Sequence, residues 1–346
     1  MNETLVSHTR LAEFTAACLE KLGLGAADAR LVTETLVASN LRGVDSHGVV
    51  RLPHYATRLR NGTVKARPRI AVRRTGPSAA TVDGDAGMGQ LVAARAMLEA
   101  IALARETGVG AVAAHDSSHC GACAYFVELA VKEGMIGVAL THTDSIMVPP
   151  GMKRIFLGSN PIAFCAPGMD EPPVIIDLST THVAWGKVIV ARREGKPIPP
   201  DWGVDAQGKP TTDAERVVGL APTGGHKGYA LALMIEILCA QLAGVPFGLH
   251  VTKMYGELDK PRNLGHFMLA LDVARFTDPR LFRSQIDLLL REIRAEDAAD
   301  LARPPLAPGD PERQSAARRS TDGVPLGEGV LGELNALAAE LGVAPL

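Results

Sequence analysis

The 346-residue chain lacks several features that would fix its class at once. It has no basic block or stripe. The densest basic run is RREGK at 192–196, read as a solvated turn between strands, and the formal charge is −2, which argues against a nucleic-acid partner. Its five cysteines, Cys18, Cys120, Cys123, Cys165 and Cys239, form no disulfide framework and fit a reducing compartment. The N-terminus MNETLVSHTRLAEF has no apolar core of signal-peptide length, so no export and a cytoplasmic location are expected. No segment reaches the ~20 apolar residues of a membrane span. YALALMIEILCAQLAGV at 229–245 comes nearest, but it carries Glu236 and Gln241 and reads as a buried helix. The one literal G-x-G-x-x-G, at Gly327, Gly329 and Gly332, follows no strand and has too little chain after it for a Rossmann unit.

What is present falls into two textures. TRLAEFTAACLEKLGL places Leu11, Phe14, Cys18 and Leu22 on one helical stripe that stops at Gly23 and Gly25. DARLVTETLVASNLRG is a second helix, ending at Gly43. From about residue 66 short apolar runs closed by turn residues take over: ATVDGDAG, VGAVAAHD, IGVALTHT, NPIAFCAP, PVIIDLS and HFMLALDV. Helices are expected over QLVAARAMLEAIALARETG, over 121–133 and in the 229–245 segment, and the tail returns to helix around the loop RPPLAPGDPE at 303–312. The strands do not alternate strictly with helices, which predicts an α+β fold rather than a doubly wound sheet. The expected organisation is an α/β domain over 76–284 and a helical domain assembled from 1–75 and 285–346.

Polar clusters mark candidate chemistry. In DSHGVVR, 45–51, His47 can act as general acid or base, Ser46 can orient it, and the planar fork of Arg51 suits a carboxylate; the plain alternative is an N-cap with a surface arginine. HDSSHCGACAYF, 115–126, supports three readings. His115, His119, Cys120 and Cys123 could ligate zinc, although His119 and Cys120 are adjacent and point different ways. Cys120 and Cys123 could form a redox pair, although no thioredoxin-like context surrounds them. Or the segment is a loop feeding a helix whose first N–H groups, from Gly121 onward, attract an anion. LGSNPIAFCAP, IIDLSTTHVAWGK and GGHKGYALAL, with Lys227 in a first helical turn, complete the set.

Taken in order, SNLRGVDSHGVVRLPHY, SSHCGACAYFVELAVKEGMIGVALTHT, LGSNPIAF, DLSTT, GGHKGYALAL and GHFMLALD resemble the malate/L-lactate dehydrogenase family, which also holds ureidoglycolate and sulfolactate dehydrogenases, 2,3-diketogulonate reductase and Δ1-piperideine-2-carboxylate reductase. The likeness spans about 8–342. It implies a homodimeric oxidoreductase using NAD or NADP on a non-Rossmann domain, with hydride passing between nicotinamide and C2 of a small 2-hydroxy or 2-oxo acid. By resemblance His47 transfers the proton with Ser46 as relay, and His119 competes for that role. Arg51 and Ser159 contact substrate. Cofactor contacts fall on His119, Cys120, Gly121 and Ala122, on Asp177, Leu178 and Ser179, on His226 and Lys227, and on Pro308, Gly309 and Asp310. Cys120 stands where an aromatic residue is usual, Ser159 where the family has threonine, and Lys187 where the cyclic-imine reductases carry an aspartate. No metal is expected on this reading. A cyclic imine or ureidoglycolate is the alternative substrate, and a zinc hydrolase built on His115, His119, Cys120 and Cys123 is the alternative from another class.

Overall fold

The computed structural model describes residues 3–346. In chain order its N-terminal part is β1 (Glu3–Val6), α1 (His8–Lys21), α2 (Ala26–Leu41) and α3 (Leu52–Arg60). The central part is β2 (Ala71–Gly76), β3 (Ala79–Asp83), α4 (Gly89–Thr107), β4 (Val109–Ser117), α5 (Ala124–Lys132), β5 (Ile136–Thr141), β6 (Ile162–Ala166), β7 (Val174–Leu178), α6 (Trp185–Glu194), β8 (Gly203–Val204), β9 (Gly219–Leu220), α7 (His226–Glu236) and β10 (Leu264–Leu271). The chain closes with α8 (Pro279–Ala295), α9 (Asp310–Asp322), β11 (Val324–Gly327) and α10 (Glu328–Leu341).

One seven-stranded sheet in the order β2-β3-β4-β10-β5-β6-β7 organises the molecule. Only β3 and β4 run parallel; every other neighbouring pair is antiparallel. This is the mixed, non-Rossmann α+β sheet expected from the strand succession. β10 inserts between β4 and β5 from far along the chain, which no local pattern announces. Glycines let helices lie directly on the sheet. A Cβ on Gly110 of β4 would sit 1.9 Å from the Ala100 carbonyl of α4, and on the other face a Cβ on Gly265 of β10 would sit 1.9 Å from the Cys239 carbonyl. The alanine-rich face of α4 and the apolar residues of α5 share one core with the sheet, including Val112, Phe126, Val127 and Met268. At roughly 25 cal/mol per Å² of apolar surface removed from water, such burial is the main force holding these layers together.

Both chain ends share a second core: Leu11, Leu36 and Leu52 from α1, α2 and α3 meet Val324 and Leu326 of β11 and Leu334 of α10. A smaller core joins Val188 of α6 to Ile198, Val217 and Leu220. Several details differ from the sequence reading. The terminal unit is not purely helical, because β1 pairs with β11. The sheet begins at β2, Ala71–Gly76, ahead of the domain boundary expected at residue 76. α8 ties to the sheet side, since the Asp287 carboxylate accepts from the backbone N–H groups of Met169, Asp170 and Glu171 at 2.9, 2.8 and 3.2 Å. RREGK is not a turn between strands: it ends α6, with Gly195 in the left-handed conformation as its cap (φ 60°). The 229–245 segment is buried on one side only. Ala232, Ile235 and Cys239 face the protein, while Leu231, Leu233, Met234, Ile237 and Leu242 are exposed.

Candidate active site

The 45–51 segment is two successive 3-10 turns, Asp45–His47 and Val49–Arg51, leading into α3. Asn40, at the end of α2, fixes their shape. Its Nδ2 donates to Asp45 at 2.7 Å and its Oδ1 accepts from the Val49 N–H at 2.8 Å. Gly48 makes room for that amide, because a Cβ there would lie 2.2 Å from Asn40 Oδ1. Asp45 also pairs with Arg319 of α9 at 2.7 and 2.9 Å. Asp45 is therefore an anchor for the turn. The turn so held presents His47, with Ser46 Oγ 2.9 Å from its Nδ1. Arg51 donates from Nε to the Ser46 carbonyl at 2.6 Å and from Nη1 to the Tyr255 hydroxyl.

The second element comes from the loop after β4. The His119 ring stacks on His47 with centroids 5.6 Å apart and planes 26° from parallel. The Tyr55 hydroxyl of α3 lies 2.7 Å from His119 Nδ1. Each imidazole thus has its Nδ1 engaged by a hydroxyl. Burial, reinforced by the Arg51 charge, pulls the His47 pKa down to about 4. Burial and then the neighbouring His47, Arg51 and Arg262 hold His119 well below the usual histidine range. Both rings are consequently neutral at neutral pH, the form able to accept a proton.

A wall of positive charge backs this pair. The buried Arg58 donates to the carbonyls of Lys260, Lys253 and Met254 at 3.0, 3.1 and 3.0 Å and to His54 at 3.1 Å. The buried Arg262 pairs with Asp144 and donates to the Thr252 carbonyl at 3.3 Å. These bonds fold the 252–262 loop over α3. Arg51, Arg58 and Arg262 outnumber Asp144, so the pocket favours an anionic guest. Beside it, a cavity of about 620 Å³ is lined by Ser46, Lys187, Lys196 and Trp202, within the usual size of a small-molecule site.

The remaining expected residues lie on a second arc. Asn160 adopts φ +28° and is fully buried; its Nδ2 donates to Glu236 at 2.6 Å and to the Ala232 carbonyl at 2.9 Å, and its Oδ1 accepts from the Thr143 N–H at 3.1 Å. That lock shapes the turn carrying Ser159, whose carbonyl accepts from the Thr180 N–H at 2.9 Å and whose N–H donates to Thr143 Oγ1 at 3.0 Å. The end of β7, with Leu178 and Ser179, is thereby held beside the Ser159 turn. At the start of α7, Gly224 and Gly225 have φ +59° and +63° and open space where a Cβ would stand, and His226 and Lys227 are exposed. A bare backbone at a helix N-terminus with a lysine beside it suits a pyrophosphate, so these residues fit a nicotinamide dinucleotide. Pro308 joins this arc through its carbonyl, which accepts from the Ile175 N–H of β7 at 3.4 Å, and Gly309 (φ +97°) opens α9.

Two expectations change. α5 begins at Ala124, not Gly121, and its first N–H groups are not free for a ligand: the Asp177 carboxylate accepts from Ala124 N–H at 2.7 Å. Gly121 and Ala122 precede the helix in the loop after His119. Asp310, expected beside cofactor, has both oxygens taken: one accepts from Arg294 and Arg313, the other from Arg294 and the Ala307 N–H. Its carboxylate thereby shapes the Pro308–Gly309 loop. The zinc set also disperses. His115 turns to Asp116 at 3.0 Å, Cys120 and Cys123 are buried in the sheet core, and His119 meets Tyr55. Among the described residues, the one group of three convergent metal-binding side chains is Asp83, His115 and Asp116, which includes none of His119, Cys120 or Cys123. All five cysteines are free.

Sequence reading missed Asn40, Tyr55, Asp144, Arg262 and Glu236. Tyr55 stood inside a quoted segment and Glu236 served only to argue against a membrane span. Tyr55 meets His119 64 positions away, Glu236 meets Asn160 76 away and Asp144 meets Arg262 118 away, so spacing carried no sign of them, and the Asn40 side chain acts locally on Asp45 and Val49.

Stacked neutral imidazoles beside a guanidinium wall suit proton transfer on an anionic guest. The chain belongs to the malate/L-lactate dehydrogenase family, whose model matches residues 6–335. It is an NAD(P)-dependent dehydrogenase. It is 37% identical over 355 residues to malate dehydrogenase of Pyrococcus horikoshii, covering 100% of this chain and 98% of that protein. It is 38% identical over 290 residues to the NAD+-dependent ureidoglycolate dehydrogenase of Escherichia coli O157:H7, covering 84% and 83%. The structure of sulfolactate dehydrogenase from Methanocaldococcus jannaschii superposes with a TM-score of 0.93 at 33% identity, over 98% of each chain.

Proposed function

We propose that this dehydrogenase acts on a small 2-hydroxy or 2-oxo acid, with chemistry at C2 and the proton handled by His47. The observation that carries the reading is the stacked His47–His119 pair, each ring held at Nδ1 by a hydroxyl and both flanked by Arg51. Bound nicotinamide, as NAD or NADP, supplies the hydride donor or acceptor. Arg51 turns its fork from Tyr255 to the substrate carboxylate, where a planar guanidinium makes paired bonds. His47, neutral and oriented by Ser46, takes the hydroxyl proton at Nε2 in oxidation and returns it in reduction. His119 hydrogen-bonds the same substrate oxygen. Ser159 contacts substrate, Leu178, Ser179, His226, Lys227, Pro308 and Gly309 line the cofactor side, and Arg58 and Arg262 hold the loop that excludes water.

The test is purified protein with NADH or NADPH against pyruvate, oxaloacetate, other 2-oxo acids and cyclic imines, followed at the nicotinamide absorbance. Turnover confined to one or more 2-oxo acids supports the reading. Turnover only with cyclic imines moves the substrate to the second reading, which the presence of Lys187 on the cavity beside Ser46 disfavours. His47→Ala is expected to lose roughly 10²- to 10⁴-fold in kcat. Near wild-type turnover would transfer the proton role to His119.

The protein works as a homodimer in the cytoplasm on this reading. The exposed apolar residues of α7 and the following turn, Leu231, Met234, Ile237 and Leu242 with Phe247 and Leu249, form a face that a second copy would cover. Five unpaired buried cysteines fit a reducing compartment. Sedimentation of Ile237→Glu against wild type checks the assembly: a dimer that the charge does not weaken moves the interface elsewhere.

A further inference from the structure

Glu236, the last residue of α7, is buried, and each of its oxygens is held by a neutral amide. Oε2 accepts from Asn160 Nδ2 at 2.6 Å and Oε1 accepts from the Gly248 N–H at 2.7 Å. Taking a carboxylate out of water is costly, so stability alone does not account for an acid at this position. Both partners are donors, and only a carboxylate accepts at both oxygens; a carboxamide would set its own N–H against one of them. The Asn160 amide is specified in turn. Its Nδ2 also donates to the Ala232 carbonyl at 2.9 Å, and its Oδ1 accepts from the Thr143 N–H at 3.1 Å. These bonds hold Asn160 at φ +28°, a conformation that costs energy unless the surroundings impose it. One position earlier, both backbone groups of Ser159 are consumed. Its N–H donates to Thr143 Oγ1 at 3.0 Å, and its carbonyl accepts from the Thr180 N–H and hydroxyl at 2.9 and 2.8 Å. The Ser159 hydroxyl makes only a long 3.4 Å contact with Thr143 Oγ1, so it is the group that remains for a ligand.

From this geometry we propose that Glu236 is a positioning residue for the substrate: through Asn160 it fixes the turn from which the Ser159 hydroxyl meets the acid. The Gly248 N–H pins the other oxygen, so the carboxylate cannot follow Asn160 if the turn shifts. Asn160 then carries the restraint to both the Thr143 backbone and the residue it adjoins, Ser159. The two ends of α7 thereby serve different ligands. Lys227 in its first turn stands on the cofactor side, and Glu236 in its last turn supports the substrate side. A change at Glu236 therefore weakens the grip on substrate and spares the cofactor, whereas a collapse of the helix would weaken both. This deepens the proposed reading of a 2-hydroxy or 2-oxo acid and rests on it for the contact made by Ser159, but not for the lock itself.

The experiment uses the full chain and Glu236→Gln, which keeps the shape of the side chain and gives up one of its two bonds. KM for the 2-oxo acid that wild type turns over best should rise about tenfold, with kcat within about threefold. The Kd for NADH, read by fluorescence titration, should stay within about twofold. In a Ser159→Ala background the KM effect of Glu236→Gln should vanish. Hydrogen exchange in the free protein reads the lock without substrate: the Thr143 and Ser159 amides should exchange about tenfold faster in the variant. Asn160→Gly, which tolerates the same backbone conformation but lacks the amide, gives the same KM and exchange test if Glu236→Gln folds poorly. The proposal is overturned if KM and exchange are unchanged in both variants, if NADH binding weakens in step with KM, or if the KM effect persists in full beside Ser159→Ala. If exchange quickens as described while wild type turns over no 2-hydroxy or 2-oxo acid, the lock stands and the substrate reading fails.

Discussion

The pocket around His47 and the entrance at α7 are built on opposite principles. At the pocket nearly every polar group already has a partner inside the protein: Arg58 has four, Asp45 is bonded by Asn40 and Arg319, and Arg262 grips Asp144. At the entrance Gly224, Gly225, His226 and Lys227 are exposed and the glycines leave open space. A site that must orient a small acid and move a proton gains from rigid, prepaired groups. A site that receives a dinucleotide phosphate gains from bare N–H groups that only the ligand will satisfy. Substitutions on the pocket side should therefore cost stability and activity together, and those at the entrance should cost binding alone.

Arg262→Met is the severest break of that contrast. It leaves Asp144 without its buried partner, and removing one member of such a pair costs about 3–5 kcal/mol. Thermal denaturation should show a large fall in Tm and assays a loss of turnover, because the 252–262 loop loses its anchor. A variant with unchanged Tm and normal KM would show that the loop is held by Arg58 alone.

Arg51→Ala comes next. Arg51 borders the buried network but donates only to Tyr255 and one carbonyl, so the fold should keep most of its stability. Losing charge-assisted bonds to a carboxylate, worth about 1.5–3 kcal/mol, should raise KM roughly 10- to 100-fold. An unchanged KM removes Arg51 from the site.

Acid should discriminate the two regions as well. Burial lowers His47 and His142 to about 4 and His54 to about 3. Unfolded histidines bind protons near pH 6.5 while these three remain neutral, so the unfolded chain holds more protons between pH 6.5 and about 4. Stability is full above pH 6.5 and falls as pH drops through that window. Tm measured from pH 7.5 to 4.5 should decline, and His54→Gln should flatten the decline. A flat wild-type profile would mean these rings are not neutral in the fold.

How much of this was legible in the sequence follows the same divide. The strand runs, the absent Rossmann fingerprint and the resemblance pointed to the mixed sheet and to His47, Arg51 and His119, because local patterns carry them. The entrance glycines were also legible, since GGHKG is contiguous. The network was not. Asn40 acts through Val49 and Asp45, Tyr55 through His119, and Glu236 through Asn160 and Gly248, side-chain pairings that no local periodicity announces. The same holds around Asp310: the motif located its loop, but its carboxylate's partners, Arg294 and Arg313, show no such pattern.

At the entrance, Lys227→Ala should leave Tm unchanged and weaken cofactor binding about five- to tenfold, the worth of one exposed charge-assisted contact of roughly 1 kcal/mol. Fluorescence titration with NADH and NADPH reads this directly. A loss of more than a hundredfold would mean that the entrance too is a prepaired site.

The smallest functional effect belongs to Cys120 and Cys123, the pair that first suggested zinc or redox chemistry. Both are buried in the sheet core, where a thiol packs as a small apolar group. Cys123→Ala removes one atom from that core. Cys120→Ser adds a hydroxyl beside the His266 and Thr141 network, to which Cys120 is already coupled, and can be accommodated there. The double variant should lose about 1–2 kcal/mol of stability, keep turnover within a few-fold, and be indifferent to chelator. A folded but inactive double variant, or wild-type activity abolished by chelation and restored by zinc, would return these residues to the chemistry and break the division between packing and catalysis in this loop.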